Sequence, residues 1–158
     1  MAFAGSSDWR ALLQEFADAR LDAAQLFARA EKLLPAGSDT SEHVLELLAE
    51  GDLKLRPPEG RAAFVQRLEQ FAGGESSYAE LDLWCFTLWQ TGVYAPDAPA
   101  SADPETALLQ TVLGWIAEWE DEEVRPDAAA VAELARILES EPDPAACLER
   151  LEEHRGGH

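Results

Sequence analysis

A chain of 158 residues suffices for one domain, or at most two small ones, and buries roughly 68–70% of the surface its unfolded form exposes. Hydrophobic residues at 47% and charged residues at 27% describe a globular protein and exclude a disordered one. The net charge of −19 argues against direct contact with nucleic acid or an anionic membrane, where every phosphate contact begins from repulsion, and it favours a basic partner.

The opening MAFAGSSDWR lacks the basic start and apolar run of a signal peptide. The first predicted helix begins near Ser7 or Asp8, with Trp9, Leu12, Leu13 and Phe16 at i, i+3, i+4 and i+7. Asp22 caps a second, with Gln25 as its capping-box partner and Leu21 and Leu26 as the staple pair. That helix carries Phe27, Ala30 and Leu34 and stops at Pro35-Ala36-Gly37. Asp39-x-x-Glu42 opens a third, with Val44, Leu47 and Leu48 inward and Gly51 as terminator. Pro57-Pro58 is expected to start a fourth, bearing Phe64, Val65, Leu68 and Phe71 and ending at Gly73-Gly74.

Ser77-x-x-Glu80 reads as a capping box for the fifth helix, which holds the stretch LDLWCFTLWQTGVY, residues 81–94. On a helical wheel Leu81, Trp84, Cys85, Leu88 and Trp89 share one arc, while Leu83 and Phe86 lie on the other side. A helix apolar nearly all round is expected to be buried among neighbours, so this one is placed at the centre of the core. Residues 95–103, APDAPASAD, form a connector without apolar pattern. Asp103-Pro104 caps a sixth helix with Leu108, Leu109, Val112, Trp115, Ile116 and Trp119 on one face. Asp127 caps a seventh with Val131, Leu134 and Leu138 inward, and Asp143-Pro144 a short eighth around Cys147, Leu148 and Leu151. The fold class is therefore all-α: a single compact bundle of about eight helices with a central aromatic one.

Cys85 and Cys147 both fall inside helical segments, as reduced, buried thiols do. No run approaches ~18 apolar residues, so no membrane span is expected, and the compartment suggested is the cytoplasm. Arginine outnumbers lysine ten to two in an alanine-rich chain, a bias associated with GC-rich bacterial genomes.

Charge is uneven: residues 1–74 carry net −4 and residues 75–158 net −15. The densest knot is Glu118, Glu120, Asp121, Glu122 and Glu123, followed by Asp127, at the exit of the sixth helix. Negative charge there opposes the helix dipole by ~0.3–1 kcal/mol per group, with Arg125 as the only local relief, so these six residues are the candidate surface for a basic partner.

Other chemistry finds no footing. Asp121-Glu-Glu-Val-Arg-Pro lacks the glycine of a Ca²⁺ loop and puts Arg125 where a ligand should be. None of His43, His154 and His158 has a glutamate three residues before it, as a di-iron bundle requires, and the pair His154 and His158 lies at an end expected to fray. G-x-S-x-G, P-loop and G-x-G-x-x-G motifs are absent. Neither an enzyme, a cofactor nor a metal is expected.

The segment LLQEFADARLDAAQLFARAEKLL, residues 12–34, resembles the opening of colicin D-type bacteriocin immunity proteins in its short helix, small or basic turn and second helix with an apolar-aromatic pair, the matching positions being Phe16, Ala23, Leu26 and Phe27. The resemblance implies a small, acidic, cytoplasmic helical protein that blocks a cationic nuclease by presenting carboxylates to its substrate cleft, and it assigns no inhibitory residue in this chain. The expected function is thus non-enzymatic: binding and neutralising a basic protein, a nuclease toxin or nucleic-acid-binding protein, as immunity proteins and DNA mimics do. The alternative is a helical structural or adaptor protein, alone or as a homodimer, docking through apolar surface with Trp115 and Trp119 at its interface.

Overall fold

The computed structural model describes residues 6–50, 53–56, 61–91 and 103–156. Among them lie eight helices and no strand: α1 (Ser6–Ala17), α2 (Ala23–Glu31), α3 (Thr40–Ala49), α4 (Ala62–Ala72), α5 (Tyr78–Gln90), α6 (Pro104–Glu118), α7 (Ala128–Ser140) and α8 (Pro144–Gly156). None is long and apolar enough to cross a membrane.

Most starts follow from aspartate caps. The Asp22 carboxylate accepts from the Gln25 amide at 2.7 Å while the Gln25 side chain accepts from the Asp22 amide at 3.0 Å, a complete capping box. Asp39, Asp103, Asp127 and Asp143 accept in the same way from Glu42, Thr106, Ala130 and Ala146. At α5 only half the expected box forms. Ser77 accepts from the Glu80 amide at 3.3 Å, while the Glu80 carboxylate lies at the edge of a surface groove.

Other boundaries shift. Helix α4 begins at Ala62; Pro57 and Pro58, its expected start, lie outside the described residues, as do Gly51 and most of the 95–103 connector. Helix α2 ends at Glu31, and Lys32 to Leu34 continue in tighter i→i+3 turns. Helix α8 is a full 13 residues rather than short. Gly74, with φ +77°, closes α4: its amide reaches the Phe71 carbonyl and that of Glu75 the Gln70 carbonyl, the paired bonds of a Schellman turn. Helix α1 ends in the same pattern, with Ala19 in the left-handed position at φ +61°.

The helices close into two circuits that share α5. On one side α5 packs on α1 and α3, with α2 bridging those two. On the other it packs on α4 and α6, and α7 and α8 complete the ring, α4 lying along α7 in the most extensive contact of the fold. The fifth helix is therefore central, as its composition implies. Its Trp84 is fully buried, meets Phe64 edge-to-face at 4.8 Å and donates its indole N–H to the Ala17 carbonyl at 3.0 Å. One apolar cluster runs from Trp9 to Leu151. Cys85 and Cys147 are free and buried within it, and burial raises both thiols above their ordinary range.

Two arginines brace the fold, Arg67 across the two circuits and Arg61 within the second. Buried Arg67 on α4 donates to the Phe16 and Leu21 carbonyls at 2.8 and 2.6 Å, with its cation 4.7 Å from the Phe16 ring. Arg61, at the start of α4, forks onto the Glu105 carboxylate of α6 at 2.6 and 3.0 Å and donates to the Leu138, Glu141 and Pro142 carbonyls at the end of α7.

Candidate protein-binding surface

All six candidate carboxylates, Glu118, Glu120, Asp121, Glu122, Glu123 and Asp127, are exposed, but they do different work. Glu118 ends α6 and pairs with Arg155 of α8. Asp121 organises the turn that follows, accepting from the Glu123 amide through its side chain at 3.0 Å and from the Val124 and Arg125 amides through its carbonyl. Asp127 is the N-cap of α7, where a negative charge is favourable. That leaves Glu120, Glu122 and Glu123. Among the described residues none of the three forms an ion pair.

The exit of α6 is also better answered than local sequence suggests. The Tyr78 hydroxyl donates to the Ile116 carbonyl at 2.9 Å, and the Arg125 guanidinium donates to the Trp119 carbonyl at 2.9 Å while its cation stands 4.4 Å from the Tyr78 ring. Arg155 arrives from α8 with its cation 4.7 Å from the Trp115 ring, so Arg125 is not the only relief. Burial, with the charge of Asp82 behind it, pushes the Tyr78 phenol up to about 12.

Trp115 and Trp119 are buried, not presented at a flat interface. They floor a cleft of about 480 Å³ whose mouth is set by Glu123, Arg125, Asp127 and Arg155. His154 lies on its wall, half-buried in an intact helix, with its ring nitrogen 3.0 Å from the Ala130 carbonyl; His158 lies outside the described residues. Among the described residues no group of three or more His, Cys, Asp or Glu is placed to hold a metal.

Cations of the first half collect elsewhere. Arg10, Lys54 and Arg56 border a groove of about 580 Å³ along α1, where Gln14 accepts from the Arg56 amide at 2.8 Å and donates to its carbonyl at 3.0 Å. Among the described residues they do not pair with the α6–α7 turn, where Arg125 and Arg155 are the nearby cations.

A second surface was not recognised among the site residues. Between α2, α3 and α5 runs a largely apolar groove of about 460 Å³, lined by Phe27, Leu45, Leu83 and Phe86, with Glu80 and Asp82 at its edge. Its signal in the sequence was the second apolar arc of α5. The Asp82 carboxyl is raised by loss of solvent and then by the charge of Glu120, which brings the groove's edge into the field of the acidic turn.

No protein-family model, curated protein or solved structure matches the chain.

Proposed function

We propose that this protein is a non-enzymatic binder that captures and neutralises a basic protein, presenting carboxylates where that partner would hold a polyanion. One observation carries the reading: Glu120, Glu122 and Glu123 stand exposed on the α6–α7 turn, without an ion pair among the described residues, in the half of the chain that carries net −15. Such a field steers a cationic partner and raises the association rate by ~10–10³, less as salt rises. The resemblance of residues 12–34 to colicin D-type immunity proteins supports a cationic nuclease as the partner class and the cytoplasm as the compartment.

The test is capture from lysate of the source organism on the tagged chain, eluted in salt steps and compared with a Glu120→Gln/Glu122→Gln/Glu123→Gln variant. These three substitutions leave Glu118, Asp121 and Asp127 in their structural places. A basic protein released by salt, and bound at least about tenfold more weakly by the variant, is expected. Unchanged binding by the variant refutes the role of the turn. Salt-resistant capture of an apolar partner moves the reading to an adaptor, for which the α2–α3–α5 groove is the favouring observation.

A further inference from the structure

Helix α5 has two apolar faces with different fates. Leu81, Trp84, Cys85 and Leu88 point into the core, each about 1% exposed or less. About half a turn round the helix, Ala79, Leu83 and Phe86 line the groove with Phe27 of α2 and Leu45 of α3. Leu45 is 43% exposed, one of two large hydrophobic side chains so exposed among the described residues. From Ala79 to Phe86 the α5 wall runs ~10 Å, two turns of helix.

The groove's rim has one sign. Glu80 and Asp82 stand along α5, and none of the lining residues is cationic. On α3 the exposed Glu42 and Glu46 each follow a lining residue, Ser41 and Leu45, one position round the helix toward solvent. Loss of solvent and then the charge of Glu120 raise the Asp82 carboxyl, so the acidic turn is felt at the rim.

We propose that this groove docks an amphipathic helix of the partner protein, its apolar ridge seated on Phe27, Leu45, Leu83 and Phe86 and its Lys/Arg flanks facing Glu42, Glu46, Glu80 and Asp82. The inference rests on the basic-partner reading above and adds to it where the partner sits and in what form. A helix laid in an apolar trough supplies ridge residues at i, i+3, i+4 and i+7, and cationic flanks complement the rim. A second copy of this chain is disfavoured, because a self-complementary contact would set two acidic rims against each other. An anionic membrane meets the same repulsion.

Three designed peptides of about 18 residues test it against the full-length chain by calorimetry at near-physiological salt: an amphipathic helix with Lys/Arg flanks, a scramble of the same composition, and the same ridge with Glu flanks. The first is expected to bind, and the other two to bind at least about tenfold more weakly. Leu45→Lys places a like charge on the groove floor and should weaken the first peptide at least about tenfold, Leu45→Ala less. Leu45 is exposed enough that both variants should fold, which their circular dichroism checks.

If scrambled and ordered basic peptides bind alike, indifferent to Leu45→Lys but weakened in the triple-glutamine variant, the groove is overturned while the basic-partner reading stands. If only the Glu-flanked peptide binds, both fall. If sedimentation shows a dimer that Leu45→Lys dissolves, the occupant is a second copy and the proposal is overturned.

Discussion

Replacing Arg67 tests the account of how the two helical circuits are joined. The side chain is 5% exposed and has no carboxylate partner among the described residues, and desolvation draws its guanidinium down to about 10 against the opposing pull of Asp22 and Glu80. A lowering of that size corresponds to a cost on the order of 3 kcal/mol for holding the charge there. Against it stand two charge-assisted bonds to the Phe16 and Leu21 carbonyls, ~1.5–3 kcal/mol each, and a desolvated cation–π contact with Phe16 worth ~1–2 kcal/mol. Arg67→Met removes both sides of the balance. The Phe16 carbonyl keeps its bond from the Ala19 amide, so the Leu21 carbonyl is the group left short. The expected loss is ~2–4 kcal/mol. Arg67→Lys keeps the buried charge but loses the guanidinium plane over Phe16, and its more strongly hydrated ammonium should cost at least as much as methionine. Urea unfolding followed by the fluorescence of Trp84 and its neighbours reads both. A methionine variant as stable as the parent would mean that the guanidinium is merely tolerated; a lysine variant as stable as the parent would mean that charge, not the guanidinium plane over Phe16, matters.

Arg61→Ala should lose ~2–4 kcal/mol in the same assay, because one fork holds Glu105 of α6 and three carbonyls at the end of α7; Arg61→Lys, a point charge, should recover less than half, and full recovery would refute the fork. The Tyr78 phenol, raised to about 12 from an ordinary 10, keeps its proton longer folded than unfolded, so the stability it adds is intact below pH ~10 and is lost as pH climbs towards 12. Phenolate absorbance should therefore show a late step that Tyr78→Phe removes; a single step near pH 10 would contradict the buried hydroxyl. At the backbone, Ala19→Gly should relieve a left-handed alanine and Gly114→Ala should stiffen the interior of α6, where an added Cβ meets open space; each is expected to raise stability by ~0.5–1 kcal/mol in thermal unfolding, and a loss in either would refute that reading.

The elements legible in the sequence are those whose cause lies within a few residues. Asp22, Asp39, Asp103, Asp127 and Asp143 bind amides three positions on, so their caps are written locally. Illegible parts depend on distant chain. Arg61 meets Glu105 across 44 residues, and Arg155 meets Glu118 across 37, so the anchor that sits at the start of α4 and the second cation at the exit of α6 were both missed. Arg67 left a trace, since it stands beside Phe64 and Phe71 on the inward side of α4, but its acceptors lie 51 and 46 residues back. The same reasoning splits the acidic knot. Sequence marks Asp127 as a cap but leaves the other five carboxylates alike, whereas the fold spends Glu118 and Asp121 on an ion pair and a turn, leaving three for a partner.

Helix α5 shows why composition reads burial better than it reads exposure. An apolar residue on every side says that water is unwelcome all round, and the two packed circuits satisfy that demand on the Trp84 side. On the Leu83–Phe86 side α2 and α3 cover the helix only in part, leaving those side chains half-buried beside an exposed Leu45. A stability requirement alone would place polar residues at positions open to solvent, as Asp82 is on the same helix. Retaining leucine and phenylalanine there, under a rim of carboxylates and within the field of Glu120, joins the two halves of the functional reading: the charged turn attracts a basic partner from a distance, and the groove gives its apolar face a place to bury once it arrives.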